Sequence, residues 1–338
     1  MERKIISLGR SSLVISLPKH WVDLNELKRG DAVSLAVQRD RSLVVFPSVK
    51  KKKKSKEIIL NVGVHEKETL IVRKIIGCYL NGYSAIKVLS DKIFSVPQRK
   101  AIRNIARMLY MRIMESDTKR MSIQTLIDET RASLELAIQR MHLISHSMCR
   151  DVLNSLKNRD VMLAKSVFSL DDDVDHFSFL LLRLLRDAAQ DSVLANQLNI
   201  VPLDCMDYQT LVYRVEEAAD HSANIARQLI MLDGNHQEIP EKLLMLLFNA
   251  GTKTVALYEE ALKAFFSKDV NNSVKIIEQE KKIEKLHREI ASRTFMSKQK
   301  SPLIVCTICM MRGSLRGIAE CAVNVAEVAI NRAYKTSI

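Results

Sequence analysis

Over residues 1–56 the apolar positions come in short alternating runs broken by turn residues, a pattern of strands rather than helices. Residues 4–8 and 13–17 read as two strands around the turn Gly9-Arg10-Ser11-Ser12. A short helix starts at Pro18 and reaches Leu24, and Lys28-Arg29-Gly30-Asp31 is a turn. Residues 32–37 and 43–46 then form a hairpin around Arg39-Asp40-Arg41. After a lysine run the pattern predicts strands at 58–62, 85–89 and 121–123, with helices at 67–80 and 97–115 between them. That β-α-β-α-β order implies a small α/β spacer. Beyond it the period is helical almost without interruption. Six helices are expected, at 122–157, 160–190, 204–232, 240–267, 270–297 and 303–335, with breaks at Asn158, Pro202, Gly234 to Pro240, Asp269 and Pro302.

The six helices fall into two related sets of three. Arg159-Asp160-Val161 opens the second helix of one set as Lys268-Asp269-Val270 opens that of the other. Asp171 and Asp175 recur as Glu280 and Glu284 at the same offset of 109 residues. In the third helices, Ala223-Asn224-Ile225-Ala226 matches Val323-Asn324-Val325-Ala326 at an offset of 100. Matched residue types at matched spacing point to an internal duplication, with a longer loop between helices two and three of the first set.

Charge alters the picture at the N-terminal end. Residues 1–56 hold fourteen Lys and Arg against five Asp and Glu, so +9 of the total +13 lies there. Such concentration marks a module that meets a polyanion. A β-rich unit of about fifty residues with little apolar mass is marginal alone, so dimerisation is expected. No run of 18 apolar residues occurs and Phe177 to Leu185 reads as the most apolar helical stretch, so no membrane insertion is expected. The start lacks the apolar core of a secretory signal, and six cysteines without a tight framework suit a reducing compartment. A cytoplasmic protein is expected.

The main chemical candidates are acidic pairs at i, i+4. Asp171 and Asp175 share one face of the second helix, and Glu216 and Asp220 share one face of the third. Adjacent antiparallel helices could bring the four together as hard oxygen ligands. His221, beside Asp220, could add an imidazole ligand or a contact that supports the ligands from behind. Glu280, Glu284 and Glu320 recur in the second set, but Arg316 stands where Glu216 would, so that copy should bind metal more weakly or not at all. Cys306 and Cys309 have the spacing of a redox or zinc half-site, though on an apolar helix they read as core. His142 and His146, at i, i+4 on the first helix, read as ordinary packing, with a reach to the metal region as the alternative. Glu284 and His287 have the spacing of a carboxylate di-iron oxidase, yet Ser178 stands where a second His is needed. There is no Gly-rich phosphate loop and no serine nucleophile elbow, and no enzyme is expected.

On these residues two resemblances rest. Arg3-Lys4, Leu8 to Lys19, Leu27 to Asp31 and Ser42 to Val45 resemble the AbrB/MazE/SpoVT swapped-hairpin DNA-binding fold. That resemblance implies an interlocked homodimer on DNA, with Arg3, Lys4, Arg10 and Lys19 as the contacting residues. Residues 124–338 resemble PhoU-type phosphate-uptake regulators, on Leu170 to Asp175 and Tyr213 to Ala226. This implies three-helix bundles carrying metal, with Asp171, Asp175, Glu216, Asp220, Glu280, Glu284 and Glu320 as ligands to iron, manganese, zinc or magnesium. The full order resembles fused regulators common in archaea. The expected fold is multidomain α+β: a dimeric swapped-hairpin β-barrel at 1–49, a lysine-rich linker at 50–56, a βαβαβ spacer at 57–123, and three-helix bundles at 124–234 and 235–338. The expected function is DNA-binding regulation of phosphate uptake, with phosphate transporter or signalling proteins as partners. A metal-dependent oxidase or phosphohydrolase and an antitoxin-like scaffold are the alternatives.

Overall fold

The computed structural model describes residues 2–9, 11–37, 42–47, 56–125, 133–297 and 301–335, and the chain divides into two compact units, Met1–Lys54 and Ser55–Ser337.

In the first unit β1 (Ile6–Leu8) pairs antiparallel with β2 (Ser12–Val14), with Ile6 opposite Val14. Both strands are shorter than the sequence predicts. Gly9 turns the chain at φ +71°, a conformation that glycine adopts without steric cost. Helix α1 (Lys19–Leu24) follows Pro18, and β3 (Val33–Val37) pairs with β4 (Leu43–Pro47) in the second hairpin. The two sheets are separate and two-stranded, so the expected barrel is not closed within one chain. No described residue of this unit with an assigned side-chain environment is buried. Leu13 and Val37 are each 73% exposed, and Ile5, Ile6, Leu8, Ile15, Leu35 and Leu43 are exposed with them. Among the described residues the unit exposes apolar surface and buries none of it in a core of its own.

The second unit opens with a four-stranded sheet in the order β5-β6-β8-β7, made by β5 (Glu57–Asn61), β6 (Ala85–Leu89), β7 (Met111–Ser116) and β8 (Arg120–Thr125). Strands β5 and β6 are parallel, joined by α2 (Glu68–Leu80), and the other pairings are antiparallel. Helix α3 (Val96–Met108) starts at a capping box in which Ser95 and Gln98 satisfy each other's backbone N–H groups. Ile71, Ile75 and Tyr79 of α2 and Ile102 and Ile105 of α3 are buried with Ile86, Val88, Met121 and Ile123 of the sheet in one core.

The sequence expectation fails at the end of α3. The predicted helix 97–115 stops at Met108, and the spacer gains a strand. Tyr110 turns the chain at φ +51°. Met111 and Ile113 then face inward while Arg112 and Met114 face out, the period of a strand. β8 pairs with both β6 and β7, so residues 122–125 belong to the sheet and the first long helix begins at Leu134 rather than 122.

The helical part holds α4 (Leu134–Asn158), α5 (Val161–Gln190), the short α6 (Ser192–Gln197), α7 (Pro202–Gly234), α8 (Glu241–Ser267), α9 (Val270–Met296) and α10 (Pro302–Ala333). Helices α4, α5 and α7 pack as one bundle and α8, α9 and α10 as a second; α7 against α10 and α4 against α8 join them. Helix α6 occupies the longer loop of the first set. The duplication reaches the backbone. Arg159 and Lys268 close α4 and α8 in the left-handed conformation at φ 55° and 54°. The Asp160 and Asp269 side chains that follow accept from Leu163 N and Asn272 N as helix caps.

Among the described residues α10, not the stretch around Phe177 to Leu185, is the one helix long and apolar enough to cross a membrane. It packs against α7, α8 and α9, and that position accounts for its apolarity. Helix α5 carries the spacer. Arg183 Nη1 donates to the carbonyls of Tyr79 and Tyr83, both at 2.8 Å, and Arg186 Nε donates to Leu80 at 2.9 Å. Two guanidinium groups thus cover carbonyls at the end of α2, where the helix dipole favours cations. The ring of Tyr110, just past α3, meets that of His176 on α5 at 5.2 Å.

Candidate metal centre

Four residues in a helix make slightly more than one turn, so Asp171 and Asp175 project from one face of α5 and Glu216 and Asp220 from one face of α7. The two helices pack side by side, and the four acids converge. Carboxylate oxygens of Asp175, Glu216 and Asp220 lie within 4.8 Å of one another. Asp171 hydrogen-bonds to Asp220.

Burial raises all four pKa values, and repulsion within the cluster adds to it at Asp171, Asp175 and Glu216. Asp171 is pushed up to about 7 by desolvation, then by Asp220 and Asp175. Asp175 rises to about 6 from burial and from Asp220. Glu216 reaches about 7 from burial and from the same three neighbours. Asp220 is raised by burial, with His221 and the Asp171 hydrogen bond opposing. The Asp171–Asp220 hydrogen bond requires a proton on one of the two carboxyls. Like charges this close, half out of water, hold protons up to near-neutral pH, and a cation bound among them would displace those protons. Three oxygens at this spacing fit the oxygen-rich coordination of manganese, iron or magnesium. Sequence reasoning passed over Asp172 and Glu217, which add negative charge to the cluster. Arg214 holds Glu217 in an ion pair.

His221 turns away from a ligand role. Its ring packs on α10 so closely that a Cβ at Gly317 would overlap it. His142 and His146 face α8, where His142 stands edge-on to Tyr258 at 5.5 Å and His146 Nε2 lies 3.6 Å from Glu259.

The second bundle is built differently at the matching place. Arg316 Nε lies 2.9 Å from Glu320 and 3.8 Å from Glu284 Oε2, so a guanidinium bridges the two acids. Glu280 is half-buried one turn before Glu284. His287 follows on the same helix, buried at 1% exposure, its pKa lowered to about 4 by desolvation. The first-bundle position that matches it is Ser178. Cys306 is exposed and Cys309 half-buried, against the expectation of a core position. They fall on the side of α10 away from the buried Ile304, Ile308 and Met311, a distinction of helical phase that the apolar composition hid.

In the first unit Arg3, Lys4 and Lys19 are exposed, and Arg10 lies outside the described residues, as do Lys50 to Lys54.

Comparison with known proteins bears on both units. The family model described as "PhoU domain" matches residues 138–229 and 248–329, one copy on each bundle. The model described as "Antidote-toxin recognition MazE, bacterial antitoxin" matches residues 6–57. No curated protein matches the chain. Among solved structures, PhoU from Pseudomonas aeruginosa is 20% identical, covering 60% of this chain and 96% of its own, with a TM-score of 0.54. The phosphate transport system regulatory protein PhoU from Streptococcus pneumoniae is 18% identical, covering 61% and 95%, with a TM-score of 0.50. At these identities the two structures speak for the fold. The family model, matched twice over more than half of the residues, places the chain in the PhoU family, with a MazE-like segment at its N-terminal end.

Proposed function

We propose that the chain is a cytoplasmic, DNA-binding regulator of phosphate uptake without catalytic activity, in which a paired N-terminal unit holds DNA and the first helical bundle binds a metal ion. The observation that carries this reading is the convergence of Asp171, Asp175, Glu216 and Asp220, half-buried acids whose pKa values are raised by burial and by their neighbouring carboxylates. These four residues would hold iron, manganese, zinc or magnesium; Glu280, Glu284 and Glu320 would serve only if Arg316 moved aside. The helical half would report phosphate status through that ion or through a phosphate transporter or signalling protein. In the N-terminal unit, a charge of +9 over residues 1–56 supports DNA as partner, with Arg3, Lys4, Arg10 and Lys19 on phosphates or bases. Its exposed Leu13 and Val37, without a core, support a homodimer. Five parts follow in this reading: residues 1–49, 50–56, 57–123, 124–234 and 235–338.

Elemental analysis of the purified full chain, with Asp171→Ala and Glu216→Ala beside it, tests the metal. Loss of metal from both variants is expected, and unchanged content in both would remove the site. For DNA, duplex affinity should fall steeply with salt; an affinity insensitive to salt would overturn that half.

A further inference from the structure

The second unit carries a basic ridge that the opening charge count conceals. Residues 57–125 hold twelve Lys and Arg against six Asp and Glu, so the spacer contributes +6 and residues 126–338 carry −2. Much of that excess sits on α3, which has Arg99, Lys100, Arg103 and Arg107 and no acidic residue in its thirteen positions. At 100° per residue Lys100, Arg103 and Arg107 fall within about 60° of one another. Gln98, Ile102, Ile105 and Ala106 lie on the opposite side, and they are the residues α3 buries. Lys100, Arg103 and Arg107 are all exposed. Among the described residues none of the three enters an ion pair, whereas Lys74, Lys87 and Arg99 in the same spacer each have an acidic or carbonyl partner. Packing of the spacer does not require these cations.

We propose that the Lys100–Arg103–Arg107 face of α3 is a second DNA-binding surface, which contacts duplex phosphates in addition to those that the N-terminal unit holds. The proposal rests on the DNA-binding reading of that unit. Duplex DNA presents one charge per ~1.7 Å of axis, and three cations spread over about 10 Å of helix meet several phosphates without needing a particular base sequence. The ridge carries no aromatic or amide side chain suited to reading bases apart from Asn104, so its contribution is to affinity and salt dependence rather than to sequence choice. Chain order agrees with this: the hairpins, the Lys50 to Lys54 run and the spacer are consecutive, and together they hold all of the excess positive charge.

The test is the salt dependence of binding to a duplex of about 40 base pairs, which is several helical turns. The full-length protein is compared with the triple variant Lys100→Gln, Arg103→Gln, Arg107→Gln. Glutamine is nearly as good a helix former as lysine or arginine, and an unchanged thermal midpoint verifies the fold. The slope of log K against log salt should shrink by about two to three, near 0.9 for each phosphate that the ridge no longer neutralises. The charge-keeping pair Arg103→Lys, Arg107→Lys should retain the parent slope. A triple variant that keeps the parent slope overturns the proposal and leaves the ridge to an acidic protein surface. Absence of salt-dependent duplex binding in the parent protein is a different failure. It would sink the DNA reading itself, and the ridge proposal with it.

Discussion

The guanidinium of Arg316 lies 2.9 Å from Glu320 on the next turn of α10, at the place that Glu216 holds relative to Asp220 on α7. In one bundle two acids face each other across a turn, and in the other an acid faces its own counter-ion. Arg316 also approaches Glu284 across the gap to α9, so it occupies in charge the place a metal ion would take in the first bundle. Replacing Arg316 with Glu should therefore convert the second site. Metal content per chain should rise on reconstitution, and the metal-free variant should lose stability. Replacing it with Gln should cost less than about 1 kcal/mol, since both Arg316 and Glu320 are half exposed. Elemental analysis and denaturant unfolding measure the two effects, and unchanged metal content in Arg316→Glu would refute the first.

The acid cluster sets the pH dependence of the metal-free protein. Asp171 and Glu216 titrate near 7 and Asp175 near 6 in the fold, against 3.8 to 4.5 for ordinary Asp and Glu. The folded chain thus keeps protons that the unfolded chain releases. Their contribution to stability is complete below pH about 4 and is lost as pH rises through 6 and 7. His142 and His287, lowered from 6.5 to about 4 by burial, act in the opposite sense, and their contribution is lost as pH falls through that window. Between pH 6.5 and 7.5 the acids dominate. The unfolding midpoint in chelator should drop over that interval, and Glu216→Gln should flatten the drop and stabilise the metal-free chain by on the order of 1 kcal/mol at pH 7.5.

His221 and Gly317 lock the two bundles together. A methyl group at position 317 would overlap the imidazole, so Gly317→Ala should force His221 out of the α7–α10 contact and cost roughly 1–3 kcal/mol. The double change Gly317→Ala with His221→Ala should recover part of that loss, and the difference in a double-mutant cycle gives the size of the clash. Simple additivity would mean the two residues do not oppose each other.

Arg183 joins the spacer to α5. It is 4% exposed and satisfies two carbonyls, those of Tyr79 and Tyr83. Arg183→Met would leave both without this donor, at a cost of about 2–3 kcal/mol in urea unfolding. Hydrogen exchange should speed up first in α2 and the strands beside it, while α8 and α9 stay protected. Uniform loss of protection across the chain would show that the spacer does not open separately.

What could be read from the amino-acid order alone was whatever depends on neighbours a few residues away. The long helices follow from period. The i, i+4 acids share a face because the helix repeats every 3.6 residues, and the matched caps at Asp160 and Asp269 show in the sequence because a cap is a contact between residues three apart. The net charge of the first 56 residues is a count. Tertiary packing decided the rest. Met111 to Ser116 became a strand because β8 offered it a partner, against a continuous helical pattern. Cys306 was exposed and Ile308 buried by the rotation of α10 against its neighbours, which composition does not encode. The convergence of the α5 and α7 acids, the bridging of Glu284 and Glu320 by Arg316, and the basic face left open on α3 all depend on which helix lies beside which. Those are relations between residues tens of positions apart, set by how whole faces bury against one another, and a local repeat carries no record of them.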